Sequence, residues 1–341
     1  MKPKQFLVIS DLHFDQLPVA LKQKQLLRRF SEELINFLKN EEIDALLIAG
    51  DISGNLKEIE VFFKILQEIS IPKIYVPGNH EMILELGLGI YPYDDPYDDI
   101  WYHHMPIDMN EAGDGIYRLD YLKKIAPAYG IKFLMDNPCE IFQNPKTVVI
   151  GNIGWYNFTH PYDNATTPAI METKNTFITY KHFYEKPNSP QVITEKTPPI
   201  KSQFFEPNVL FWKYCIMCLK YQIEQIKRME YEHLLFLSHF IPLREEIPYK
   251  YHPLDDLEDF LLSNENAYHW FYPSVVSYIK KMELHLDAYV FGHTHKPSHS
   301  KNHICNPFIR TKSQDDAGKT VYIPENADSL VEYFKNGIFR L

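Results

Sequence analysis

Five short pieces of the chain carry side chains that bind cations, and each follows an apolar run. They are Ser10-Asp11-Leu12-His13, Ala49-Gly50-Asp51, Gly78-Asn79-His80-Glu81, Ser238-His239 and Gly292-His293-Thr294-His295. Together they offer carboxylates, imidazoles and one carboxamide but no thiolate. That donor set suits Mn, Fe, Zn, Co or Ni better than Ca or Mg. Asp11 and His13 lie two apart, as do His293 and His295. At the end of an extended segment such pairs project the same way, so each pair is expected to reach one ion. Asp51 follows a glycine that permits a sharp turn, and its two carboxylate oxygens suit a bridge between two cations. Asn79 and His80 are adjacent; in extended backbone one would ligate metal while the other faces the substrate. His239 adds a further imidazole. Glu81 either orients a neighbouring histidine or lies at the surface. The set points to hydrolysis by two cations, which share a water and make it hydroxide near neutral pH.

The elements that must position these residues are legible from apolar periodicity. Residues 5–10, 45–49 and 73–76 read as short buried strands. Helical patterns over 20–38 and 56–69 separate them. This alternation predicts βαβ units with parallel strands covered on both faces. Ligands of such sheets gather beyond the carboxyl ends of the strands, where the first three motifs lie. A helix at 117–129, strands at 131–134 and 147–151, a long helix at 207–231, and strands at 234–237 and 287–291 continue the core. The tail shows only strand-like pieces at 321–323 and 338–339. Irregular stretches at about 82–115, 157–206 and 241–272 read as loop or cap insertions in one domain spanning 1–341. The Tyr- and Asp-rich run at 91–102 reads as a solvated rim, with aromatics such as Tyr91, Trp101, Trp155 and Tyr156 as candidate stacking groups.

Composition narrows the function. The net charge of −10 opposes a phosphate backbone, so nucleic acid is not the expected partner. No stretch approaches the roughly 20 apolar residues of a membrane span, and no secretory leader is visible, so the expected location is cytoplasmic. The four cysteines fit a reducing compartment. Cys215 and Cys218 share one face of the long helix and read as small core residues, since no second pair completes a zinc site.

Taken jointly, the blocks resemble the calcineurin-like metallophosphoesterase superfamily, whose pattern runs D-x-H, GD, GNH[DE], a lone H and GHxH. Every block is present, in order, over residues 10–295. The resemblance implies an α/β fold: a four-layer α/β/β/α sandwich of two mixed β-sheets flanked by helices. It implies two divalent transition-metal ions, Mn, Fe or Zn. One would be held by Asp11, His13, Asp51 and His295, the other by Asp51, Asn79, His239 and His293, with Asp51 bridging. His80 is left as the catalytic group that stabilises or protonates the leaving oxygen.

Within the superfamily, protein Ser/Thr phosphatases extend the second and third blocks to GDxVDRG and RGNHE. Here Gly50-Asp51 continues as Ile52-Ser53-Gly54, and Pro77 stands where their phosphate-binding arginine would be. The phosphodiesterase branch is the most similar, through Ile9-Ser10-Asp11-Leu12-His13-Phe14, Pro77-Gly78-Asn79-His80 and Gly292-His293-Thr294-His295. The expected reaction is hydrolysis of a phosphoester, foremost a phosphodiester, on a small phosphorylated substrate such as a nucleotide. The alternatives are a phosphomonoesterase, a nuclease of the same superfamily, or a scaffold that keeps the fold without activity. Every ligand block is intact, which weighs against the scaffold.

Overall fold

A computed structural model of the 341-residue chain describes residues 3–17, 25–82, 115–154, 201–240, 284–300, 302–314, 320–324 and 329–341. Strand β1 (Gln5–Ile9) leads to helix α1 (Leu26–Asn40), β2 (Ala45–Ala49), α2 (Leu56–Leu66) and β3 (Lys73–Val76). A short helical turn, α3 (Asn79–Met82), follows directly. Then come α4 (Gly115–Ala128), β4 (Lys132–Phe133), β5 (Cys139–Gln143), β6 (Lys146–Asn152), α5 (Lys201–Ile226) and β7 (His233–Ser238). The chain closes with β8 (Ala288–Val290), β9 (Ser298–His299), β10 (His303–Cys305), β11 (Ile309–Gln314), β12 (Thr320–Pro324), α6 (Leu330–Asn336) and β13 (Ile338–Arg340).

Two mixed sheets result. The first has the order β13-β1-β2-β3-β4, parallel except for β13; the second runs β5-β6-β7-β8-β10-β9, parallel from β6 through β10 with antiparallel edges. Side-chain alternation along the strands explains the layering. Leu7, Ile9, Leu46 and Ile48 face α1, α2 and α6, packing on Phe30, Leu34, Phe62 and Phe334. Their neighbours Phe6, Val8, Leu47 and Ala49 turn the other way and meet Val149, Leu235, Leu237 and Val290 of the second sheet. The outer face of that sheet, with Val148, Ile150, Leu234 and Phe236, is covered by Cys215, Leu219 and Ile223 of α5. The central strands β1, β2, β3, β6 and β7 are therefore buried on both faces and read as nearly continuous apolar runs. The four-layer α/β/β/α sandwich is the architecture that the motifs implied.

Local chemistry sets several element boundaries. Asn55 caps α2, its side chain accepting the Lys57 N–H. Gln222 on α5 is fully buried; its side-chain carbonyl accepts the Gly151 N–H, and its amide nitrogen donates to the carbonyls of Gly151 and Met135. Helix and sheet are thereby joined beside the site-facing end of β6. Cys215 and Cys218 are buried on α5 as expected, Cys218 with its thiol toward Asp136. The tail is not all strand-like: α6 packs Leu330, Tyr333 and Phe334 against α1, and β13 joins the first sheet beside β1. The insertions expected at about 82–115, 157–206 and 241–272 lie outside the described residues except at their margins, where α5 already starts at Lys201. The aromatic and acidic run at 91–102 also lies outside them.

Candidate metal centre

Every motif follows directly on the carboxyl end of a core strand, three from the first sheet and two from the second. Asp11 and His13 follow β1, Asp51 follows β2, Asn79 and His80 follow β3, His239 follows β7, and His293 and His295 follow β8. Backbone hydrogen bonds tie these ends together: Asp11 donates to the Gly50 carbonyl, Leu12 and His13 to that of Asp51, and Gly292 to that of His239.

The way the side chains converge differs from the expected extended geometry. Asp11, His13, Asp51, His293 and His295 all adopt left-handed backbone, with φ of 52°, 43°, 54°, 70° and 52°. Among the described residues only Gln25 and Glu42 share that conformation without glycine. Each such residue costs on the order of 1 kcal/mol, so the strain is concentrated where ligands must turn inward. Asn79 and His80 do not alternate across extended backbone either; they open the helical turn α3.

Two groups of ligand atoms form. One contains Asp11, His13, Asp51 and His295, and the other Asp51, His239 and His293; within each group the atoms lie within 4.8 Å of one another, and Asp51 belongs to both. Asp51 Oδ2 is 3.5 Å from His13 Nε2 and 3.3 Å from His239 Nε2. Asn79 Oδ1 is 2.9 Å from both His239 Nε2 and His293 Nδ1, which places the carboxamide in the second group. Ligand atoms about 3 Å apart are what a transition metal at its usual bond lengths gathers around itself. Asp11 Oδ2 and Asp51 Oδ2 are buried without a hydrogen-bond donor among the described residues. Buried carboxylate oxygens left without donors are costly unless a cation takes them. The residues present therefore fit metal ions, and all seven expected ligands fall in these groups, but His293 and His295 divide between them instead of reaching one ion together.

The surroundings orient these candidate ligands. His239 Nδ1 lies 2.8 Å from the Ala49 carbonyl; a proton held there leaves Nε2 as the ligand atom. Asp11 Oδ1 accepts the His293 N–H, and Asp51 Oδ1 accepts the His80 N–H. A Cβ on Gly78 would stand 2.1 Å from Asp51 Oδ1, so only glycine lets the two turns approach this closely.

Glu81 is not a surface residue, and its carboxylate is bound by the main chain while His239 acts on it only through charge. It is fully buried, and its carboxylate accepts three backbone N–H groups: Gly78 and Asp51 at 2.9 Å and Ile52 at 2.7 Å. Arg118 on α4 adds bonds to the backbone carbonyls of Glu81 and Gly54. Two ligand-bearing turns, distant in sequence, are thus fastened to one side chain. The motif GNHE contained Glu81, but nothing in its spacing showed that its partners would be main-chain groups 30 residues away. Gln16, the last residue of a 3-10 turn over Phe14–Gln16, lies outside all the motifs, yet its amide nitrogen is 2.9 Å from His80 Nδ1.

Burial and charge act on the titration of the centre. Burial pushes the Asp11 carboxyl up to about 6, with His239 pulling against it and Asp51 adding to it. Burial opposes ionisation of Asp51 too, but His239, His80 and His13 hold it well below the usual carboxylate range. Burial and then the charge of Asp51 push Glu81 up to about 8, against the N–H groups of Ile52 and Gly78. Burial pulls His239 down, yet Asp51 and Asp11 outweigh it and raise the imidazole to about 9.

A sequence model for calcineurin-like phosphoesterases matches residues 4–297, most of the chain. The protein belongs to that family. The matched span takes in every candidate ligand described above. The fold is similar to that of a phosphopantetheinyl hydrolase from Mycobacterium tuberculosis, with 16% identity, a TM-score of 0.54, and coverage of 99% of this chain and 96% of the other. A dimetal phosphatase from Danio rerio also aligns, over 94% of this chain and 86% of its own, with 14% identity and a TM-score of 0.40. No characterised protein matches in sequence. Among the described residues, no helix is long and apolar enough to cross a membrane.

Proposed function

We propose that this hydrolase of the calcineurin-like family holds two divalent transition-metal ions and cleaves phosphodiesters of small molecules, a nucleotide being one candidate substrate class. The observation that carries this reading is the division of the ligand atoms into two groups that share Asp51. Asp11, His13, Asp51 and His295 would hold one ion; Asp51, Asn79, His239 and His293 would hold the other. When bound, such a pair supplies Lewis acidity toward phosphoryl oxygens and acidifies water. The chain's own residues supply the rest. Asp51 fixes the separation of the two groups, because its position is set on both sides by Glu81 and Gly78. His80 belongs to neither ligand group; its ring stands edge-on to that of His13, with centroids 4.4 Å apart. That placement leaves it for the substrate, as a stabiliser of charge on the leaving oxygen. The net charge of −10 favours small anions concentrated at a metal-loaded site over a polyanionic duplex.

The test is a panel of phosphodiesters and phosphomonoesters, with a phosphopantetheinyl ester included, assayed with Mn, Fe, Zn, Co and Ni. Turnover of diesters above monoesters with a stoichiometric metal pair supports the reading. Hydrolysis of monoesters alone would replace it with a phosphatase. A protein that takes up metal but hydrolyses nothing in the panel would point to the scaffold instead.

A further inference from the structure

We infer that Gln16 is a positioning residue that holds His80 through Nδ1, so that Nε2–H of the ring donates a hydrogen bond to the oxygen leaving the substrate. The inference rests on the hydrolytic reading above. Its geometric part is independent of that reading.

Contacts of both ring and backbone hold His80 among the described residues. Gln16 Nε2 lies 2.9 Å from His80 Nδ1. The His80 backbone N–H is bound to Asp51 Oδ1 at 2.8 Å, and the ring meets His13 edge-on at 86°. Gln16 is itself anchored, its N–H donating to the His13 carbonyl at 3.0 Å. The side chain that aims His80 therefore hangs from the same turn that presents a metal ligand, and a shift of one would shift the other.

An amide nitrogen only donates, so Nδ1 must accept, and the proton of a neutral ring then sits on Nε2. A carboxylate at this place would do the reverse, accepting a proton from Nδ1. With Gln16 donating to Nδ1, the ring presents Nε2–H as the donor. As the phosphorus–oxygen bond breaks, its electron pair stays on the leaving oxygen, which the Nε2–H stabilises. The ring keeps its proton, and the leaving oxygen takes one from water.

Full-length protein with 15N-labelled histidine, loaded with zinc, tests the contact directly. The His80 signals are those lost in His80→Ala. The expected spectrum has His80 protonated at Nε2 and bare at Nδ1, and Gln16→Glu should move the proton to Nδ1. A proton on Nδ1 in the unsubstituted protein would mean that the amide faces the other way, and overturns the inference. In turnover, Gln16→Ala should lose about tenfold in kcat on an alkyl diester, the size of one hydrogen bond. On a 4-nitrophenyl diester, which needs little help in leaving, it should lose much less, with KM and zinc content unchanged. Equal losses on both esters would also overturn it, since a general disturbance of the site has no reason to sort leaving groups. If the unsubstituted protein cleaves no phosphoester, the hydrolytic reading fails, and the nitrogen spectrum still decides whether Gln16 holds His80.

Discussion

Replacing Glu81 by glutamine changes one atom and should loosen the whole metal centre. Its Oε2 accepts the N–H groups of Asp51 and Gly78, and Oε1 that of Ile52. A carboxamide has one oxygen, which can keep the first two bonds. Its NH2 must then face the Ile52 N–H, now at 2.7 Å, donor against donor. Leaving that buried N–H unpaired costs about 1–3 kcal/mol. At about pH 9, above the value of about 8 to which burial and Asp51 push this carboxyl, the two retained bonds also lose their charge assistance, at about 1 kcal/mol each. Relief from burying a carboxylate offsets part of this, so the net loss is about 2–4 kcal/mol. At roughly 2 °C per kcal/mol for a chain of this size, Tm should fall by about 4–8 °C. Metal affinity should fall with it, because Gly50-Asp51 and Gly78-Asn79 are fastened through this carboxylate. Thermal unfolding with and without metal, together with metal titration, measures both effects. A Glu81→Gln protein with unchanged Tm and unchanged metal affinity would refute the idea that this carboxylate clasps the two turns.

Other expectations concern the ligands themselves. Asp51→Asn removes the charge that both groups share, so turnover should disappear and affinity for metal should drop at least tenfold at each site, as metal analysis and titration would show. His80→Ala should keep full metal content while kcat on a poor-leaving-group ester falls about 100-fold, measured by steady-state kinetics. Metal uptake should strengthen as pH rises from about 6 to about 9. Asp11 and His239 are both held protonated above their ordinary range in the metal-free chain. A proton on either one competes with the cation, so low pH weakens binding and loading near pH 7 releases protons. Calorimetry in buffers of different ionisation enthalpy reads that release.

Much of the site was written in local patterns. Asp11, His13, Asp51, Asn79, His80, His239, His293 and His295 each stand directly after an apolar run, and a parallel strand ends where its apolar run ends. The run-and-motif rhythm was therefore enough to expect the residues together at the carboxyl ends of the core strands. The helix Leu330–Asn336 was hidden because it is short, and its helical character is decided by docking Tyr333 and Phe334 on α1.

What the sequence determined by itself was the identity of the ligands and the layered α/β order, because both depend on residue type and on periods of two and 3.6 residues. The tertiary structure decided how those ligands face one another. Left-handed turns at Asp11, His13, Asp51, His293 and His295 meet segments distant in sequence, as where Asp11 and His13 donate to Gly50 and Asp51 and His293 donates to Asp11, and no nearest-neighbour preference predicts them. The partners of Glu81 and Gln16 are likewise reached only across space. Thirty residues separate Glu81 from Asp51 and 64 separate Gln16 from His80. A hydrogen bond over such a separation exists only once the strands beneath it have paired.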